Sequence, residues 1–567
     1  MDDYYAFIVA VDEQNEPRLQ PALRQQINEH YEIWYYRTTD VPPLSIADYA
    51  YSAIPKCYGL VSSTSLEVSG ILRLQRQPTL SLLGQGVFVA IIDTGIRYQD
   101  AAFLQDDGKS RIFSMWDQTA EKEEKEEKEE KEEKEEKDGR DSLVIYGRTY
   151  SNEQINLALS AEKPEEIVPE TDGNGHGTFL ASVACGSTAV MDDFTGAAPQ
   201  SQLIVVKLRD AGIHLRDFYA IPEETPAYAE HDIMAGIAYA ERIAQKENRP
   251  LVIFIGLGTN HGGHTGTSPL CDYENTIAVT RHRAVVNAAG NEGNGRHHFF
   301  ETAKNVLSPA VAEVDVEKNM RGLWIELWAT APKQIAVAVQ SPTGELAPKR
   351  EPFPGQSGSY RFLFEGTQLT VDYRSAGKNR RDQLVYLRFT NITKGLWTIK
   401  VYPQNTFTGE FHAWLPMRQM MTSEVFFLES SPDTTLTSPS DASAPMTVGG
   451  YNAGTGALFF ESGRGPDAAG QMKPDFVAPA VGVQGRGLRD NYVTFSGTSA
   501  AAAITAGGCA QILQWAVVEQ NAIGINSVDI KNLLCRGAGR EAGNEYPSNT
   551  LGYGKLDVYA AFDVTRK

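Results

Sequence analysis

Three glycine-bearing polar segments interrupt apolar runs far apart in this 567-residue chain: IIDTGI at Ile91 to Ile96, DGNGHGT at Asp172 to Thr178, and SGTSAA at Ser496 to Ala501. Each falls at a junction that dictates local structure. Val87 to Ile92 is a nearly all-apolar run, the pattern of a parallel strand covered on both faces, and Asp93 stands at its C-terminal end. His176 lies between glycines and opens a run, Thr178 to Ala184, that reads as the start of a buried helix. Ser499 is followed by AAAAITAGGCAQILQWAVV, apolar nearly all round and therefore a helix at the centre of a domain. Polar residues at the carboxyl ends of buried strands are where open α/β sheets gather their ligand groups.

Taken singly, each residue has a plain structural reading. Asp93 is a turn former, His176 a core histidine, and Ser499 an N-cap. Together they are the groups that nucleophilic catalysis needs. A serine hydroxyl is a weak nucleophile at neutral pH, so it requires a base to take its proton, and the base requires an acceptor to hold its tautomer. A fourth segment, VVNAAGNEGNG, sets Asn291 just beyond a strand expected over Arg283 to Ala288. Its bland reading is a Gly/Asn turn; its sharp one is an amide aimed at a developing oxyanion, beside the backbone N–H groups at the start of the Ser499 helix.

These segments resemble those of the subtilisin family of serine endopeptidases, which have Asp, His and Ser in this chain order and an oxyanion Asn in an AAGN segment. The resemblance implies Ser499 as nucleophile, His176 as general base, Asp93 as its orienting acid and Asn291 as oxyanion donor. It also implies that Gly256, Leu257 and Gly258 of LVIFIGLGTNHGG pair with a peptide substrate. Family members usually carry Ser where Gly256 stands. No cofactor and no metal are expected: His261, His264, His297 and His298 lack ligand spacing on a helix and read as loop histidines.

Composition sets outer limits. A hydrophobic share of 42% with no long apolar run indicates a globular protein with ample core and no membrane span. A net charge of -20 argues against nucleic acid as a partner. MDDYYAFIVAVDEQNEP puts acidic residues before a short apolar stretch, the reverse of a secretory signal, so a cytoplasmic or spore-associated bacterial location is expected. Cys57, Cys185, Cys271, Cys509 and Cys535 are scattered and lie mostly in apolar segments, as reduced buried thiols do.

The fold expected is α/β, a mostly parallel sheet with flanking helices, with two additions. Residues 1–62 form a candidate small α+β prodomain: YYAFIVAVD and YEIWYYRTT as strands, PALRQQINEH as a helix, and AIPKCYGLVSST as a product-like strand in the cleft. Residues 63–303 and 430–567 make up the catalytic domain, with a charged repeat at 121–137 read as a surface loop. Residues 304–429 change texture. Ile335, Val337 and Val339, then Tyr360, Phe362 and Phe364, then Val385, Leu387 and Phe389 alternate as strands of a β-sandwich or jelly roll.

A sandwich inserted before the nucleophile is similar to the germination-associated Csp subtilases of clostridial spores, some of which keep a complete triad. That resemblance implies a protease that cuts itself, keeps its prodomain bound as an inhibitor, and activates a spore cortex-lytic zymogen. The alternatives are a broad-specificity intracellular or gut-bacterial subtilase, and a prodomain-locked binding protein whose triad is idle.

Overall fold

A computed structural model describes residues 3–11, 19–60, 69–77, 80–120, 143–170, 172–187, 194–351, 353–377, 381–404, 409–489 and 491–565. The repeat at 121–137 lies outside the described residues.

The central sheet has eight strands in the order Phe476–Pro479, Met446–Tyr451, Arg283–Ala288, Leu251–Ile255, Phe88–Asp93, Gln202–Lys207, Ile112–Asp117 and Arg148–Ser151. Every pairing is parallel except the last, where Ile112–Asp117 and Arg148–Ser151 run antiparallel at the edge. Helices cover both faces, which explains strands that are apolar without alternation. Val89 and Ile91 enter one core with the Thr498–Leu513 and His176–Cys185 helices, while Phe88, Ala90 and Ile92 enter another with Glu230–Lys246 and Pro269–Ala278. Every residue of Thr498–Leu513 is buried. With its π-helical extension to Val518 this helix is long and apolar enough to cross a membrane, but its apolarity is used inside the protein.

Between Asn291 and Ser499 two antiparallel sheets share one core. The first runs His298–Ala303, Gly409–Trp414, Met320–Ala329, Asp382–Ile392, Gln368–Ala376, Ser357–Arg361; the second runs Leu346–Ala347, Ile335–Gln340, Gly395–Pro403, Ala310–Val316, Val425–Phe427. Leu323, Ile325 and Leu327 face Val337, Val339, Ile399 and Val401 across the sandwich. The strand expected to reach Phe364 stops at Arg361: Phe362 is buried, but Phe364 is 82% exposed in the turn that follows.

The other face of the first sheet packs on the rest of the molecule. Trp324, Trp328, Trp414 and Tyr386 join a core with Ile46 and Ile54 from the N-terminal segment and with Leu215, Phe218 and Tyr219. The four histidines expected in loops are buried. His261 stacks on Trp324 at 3.9 Å, His264 on Trp414 at 4.1 Å, and His298 Nε2 lies 2.9 Å from His412 Nδ1. Burial holds His412 down to about 4 and His298 well below its ordinary value, so both stay neutral. A sequence cannot show this, because the tryptophans that cover them come from elements far along the chain.

The N-terminal segment differs from expectation at one element. Tyr4–Ala10, Tyr31–Arg37 and Leu23–Gln26 form a three-stranded antiparallel sheet, and the stretch Pro21 to His30, expected as a helix, is a strand followed by a turn. Two tertiary contacts override the helix formers. Gln25 is fully buried, accepting from Tyr35 Oη at 2.9 Å and donating to the Leu143 carbonyl at 2.5 Å. Asn28 Oδ1 then closes the turn by accepting from the His30 and Tyr31 N–H groups. All five cysteines are free and buried.

Candidate active site

Asp93 ends its strand at the carboxyl edge of the sheet, and the two helices that follow the other motifs start beside it. His176 is the first residue of its helix. Gly175 before it has φ +90°, open to glycine at little cost, and a Cβ on Gly177 after it would lie 2.2 Å from the Gly95 carbonyl oxygen. The glycine bracket therefore lets the His176 backbone sit directly on the Asp93 turn. His176 Nδ1 is 2.7 Å from Asp93 Oδ1, and His176 Nε2 is 3.5 Å from Ser499 Oγ. Asp93 Oδ1 also accepts from the Thr94 N–H at 2.8 Å. The three side chains are 1%, 6% and 0% exposed in chain order, so their mutual electrostatics act in a medium largely stripped of water. The 3.5 Å between Ser499 and His176 is at the long end of hydrogen bonding, as is common for catalytic pairs before the reacting complex forms.

Asn291 is oriented rather than merely nearby. Its Oδ1 accepts from the Thr498 N–H at 3.0 Å and from Thr498 Oγ1 at 3.1 Å, which leaves the amide nitrogen as its free donor. Thr498 Oγ1 in turn accepts from the Gly290 N–H at 3.0 Å. A donor held in place before reaction stabilises an oxyanion by about 3 to 4 kcal/mol.

Residues that sequence reasoning passed over supply the framework. Asp172 Oδ1 accepts from Thr94 Oγ1 at 2.8 Å and Gly175 N at 2.8 Å, while its Oδ2 accepts from Thr178 N at 2.9 Å and Thr178 Oγ1 at 2.7 Å. Thr94 Oγ1 accepts from Gly177 N at 2.9 Å, so Thr94 and Asp172 tie the His176 helix to the Asp93 turn. Each belongs to one of the quoted motifs, and that adjacency was the available signal. Glu170 lies outside them: its Oε1 accepts from Ile96 N at 3.1 Å, and burial pushes its carboxyl up to about 8.

The edge segment Gly256 to Gly258 runs past the serine. A Cβ at Gly256 would stand 2.9 Å from Leu180 Cδ1 and 3.3 Å from Ser499 Cβ, which gives glycine a packing reason at a position where the family resemblance led to an expectation of Ser. Leu257–Gly258 pairs antiparallel with Cys57–Leu60, Gly258 against Gly59 and Leu257 against Leu60. Cys57 and Tyr58 pair on their other side with Ala229 and Tyr228. Main chain entering between two edge strands and heading for the serine is the geometry of a bound peptide. Chemically, the assembly offers a nucleophile, a base whose tautomer is fixed, an oxyanion donor and a peptide-binding strand. Among the described residues no group of His, Cys, Asp and Glu side chains is arranged to hold a metal ion.

Comparison with known proteins agrees with this geometry. A stretch of 137 residues, 23% of this chain, is 31% identical to the membrane-bound transcription factor site-1 proteases of Homo sapiens and Mus musculus, of whose length it spans 12%. The solved structure of the CspB protease of Clostridium perfringens superposes with a TM-score of 0.75 at 28% identity, over 88% of this chain and 98% of that one. Residues 84–348 and 423–554 match the model of the subtilase family, and with the Asp93, His176 and Ser499 geometry inside the matched segments, the chain belongs to that family.

Proposed function

We propose that this chain is a serine endopeptidase that cuts once behind its own N-terminal segment, residues 1–62, and keeps the released piece bound. The observation that carries this reading is the strand Cys57–Leu60, held between Leu257–Gly258 and Tyr228–Ala229. In the reaction His176 Nε2 takes the Ser499 proton as Oγ attacks the peptide carbonyl. Asp93 stabilises the imidazolium, and Asn291 donates to the oxyanion. Collapse breaks the C–N bond, the amine leaves with the proton from His176, and water then hydrolyses the acyl-enzyme by the same route.

Contacts beyond the cleft support retention. Glu230 N–H donates to the Lys56 carbonyl at 2.8 Å, and its Oε2 accepts from Lys56 N–H at 3.1 Å. Tyr51 Oη donates to the Glu326 carboxylate at 2.6 Å, the same carboxylate that accepts from Trp328 Nε1 at 2.9 Å and lies 3.1 Å from His261 Nδ1. Burial would push Glu326 up, but the hydrogen bonds from His261, Tyr51 and Trp328 outweigh it and hold the carboxyl below its ordinary value. One ionised side chain of the sandwich thus bonds both other parts of the molecule.

Wild-type protein is expected to purify as two associated fragments, cut between Gly59 and Thr64, and Ser499→Ala as one chain. Intact-mass spectrometry reads the difference, and an uncut wild type fully active on peptides would remove self-processing from the account. Asn291→Ala is expected to lower kcat by about 10² to 10³ with KM little changed, since the amide acts on charge present in the transition state. A change confined to KM would reassign Asn291 to substrate binding. The resemblance to the germination-associated Csp subtilases leads us to propose a spore-forming bacterium as the setting and a spore cortex-lytic zymogen as the substrate. Activation of a purified zymogen of that kind, lost in Ser499→Ala, tests that part.

A further inference from the structure

Peptide cleavage brings three groups together: the nucleophile, the oxyanion donor and the peptide main chain. Asn291 is tied to the first of these by the bonds its Oδ1 accepts from Thr498, the residue before Ser499. A second set of bonds ties it to the third. Glu292 follows Asn291 directly, and Asn260 follows Gly258 and Thr259 at the end of the segment that pairs with Cys57–Leu60. Asn260 Nδ2 donates to Glu292 Oε2 at 3.1 Å, which joins the loop carrying Asn291 to the peptide-pairing segment.

The sandwich closes this joint. Asn260 Nδ2 gives its other hydrogen to the Leu415 carbonyl at 3.1 Å, and the Leu415 N–H donates to the His297 carbonyl at 3.0 Å. Two acceptors on one nitrogen fix which way round the Asn260 amide lies. His297 Nδ1 bonds the same Glu292 oxygen, and His264 Nε2, on the ring stacked against Trp414, lies 3.1 Å from the Asn260 carbonyl. All of these residues are buried. Trp414, next to Leu415, pairs with His298, so the loop after Asn291 runs straight into the sheet whose neighbouring strand supplies the Leu415 contact.

These bonds act where geometry decides rate. An oxyanion donor works within about 2.7 to 3.1 Å of the charge, and a misplacement of about 1 Å costs on the order of 10²-fold. Thr498 holds the Asn291 amide against the serine helix but leaves its distance from the peptide carbonyl open. The bond between Asn260 and Glu292 sets that distance, because one partner adjoins the donor and the other adjoins the peptide-pairing segment.

We propose that Glu292 and Asn260 are positioning residues of the reaction: their bond, braced by Leu415 of the sandwich, sets the span between the Asn291 amide and a peptide held on Gly256 to Gly258. This rests on the endopeptidase reading with Asn291 as oxyanion donor.

The test is a double-mutant cycle on the full chain with its N-terminal segment displaced, each peptide-hydrolysis rate divided by the number of sites that a fluorophosphonate labels. Glu292→Ala is expected to lower kcat by about 30-fold with KM changed less than about threefold, since the peptide strand itself is untouched. Glu292→Gln, whose amide oxygen still accepts from Asn260 and His297, should stay within about threefold of wild type. On an Asn291→Ala background the Glu292→Ala change should cost less than about threefold, because a donor that is gone has no position to lose. Dividing by labelled sites removes unfolded molecules from the comparison. If Glu292→Ala takes no probe, Asn260→Ala, with an expected loss of about tenfold in kcat, carries the same cycle. Glu292→Ala turning over at the wild-type rate, a loss confined to KM, or the full loss repeated on the Asn291→Ala background would each overturn the inference. Asn291→Ala with wild-type kcat would instead remove the oxyanion assignment beneath it.

Discussion

Ser499→Ala is expected to lower peptide hydrolysis by about 10⁶-fold, the scale of loss when one member of a triad acting as a unit is removed. The reason lies in geometry. Ser499 Oγ lies 3.5 Å from His176 Nε2, the nitrogen left facing it once Nδ1 is held by Asp93. What persists is about 10³ to 10⁴-fold over water, from Asn291, the helix N–H groups and substrate positioning. Fold should be untouched: the methylene packs as before, and the hydroxyl's hydrogen-bond partner is His176, whose other nitrogen stays with Asp93. Equal melting temperatures with steady-state rates on a quenched peptide check both halves of the expectation.

Asp93→Asn is expected to cost about 10⁴-fold in kcat with the backbone unchanged. Asp93 Oδ1 accepts from both His176 Nδ1 and the Thr94 N–H, so an ionised carboxylate fixes the proton on Nδ1 and frees Nε2 as the base. Both donors share that one oxygen, so an amide that turns its NH2 into this position presents N–H to both of them, and one that keeps its oxygen there loses the charge that stabilises the imidazolium. If the imidazole answers by moving its proton to Nε2, it cannot accept from serine. The loss should appear in kcat, with KM changing less than tenfold, because neither group touches the peptide strand at Gly256 to Gly258. A loss confined to KM, or wild-type turnover, would separate Asp93 from the base.

Asp93, His176, Ser499 and Asn291 were legible in the sequence because each is marked locally, by glycines that permit close approach or by the end of a fully apolar strand or start of a fully apolar helix. The groups that hold them were harder. Thr94, Asp172 and Thr498 sit inside the quoted motifs, yet their roles depend on partners brought in by folding, as when Thr94 Oγ1 bridges Asp172 and Gly177. The same reasoning explains the failed helix at Pro21 to His30, where burial of Gln25 against Tyr35 and Leu143 decided the conformation. Buried histidines such as His264 read as loop residues until Trp414 of the sandwich is seen lying on the ring.

The central claim is that Ser499 is an activated nucleophile in this chain, and reaction with a fluorophosphonate tests it most directly. Once the bound N-terminal segment is displaced from the cleft, one probe mass per wild-type molecule is expected, located by peptide mapping on the segment containing Ser499, absent in Ser499→Ala and lost or greatly slowed in His176→Ala. Wild-type protein that takes up no probe over hours, or takes it up equally after His176→Ala, would contradict the account.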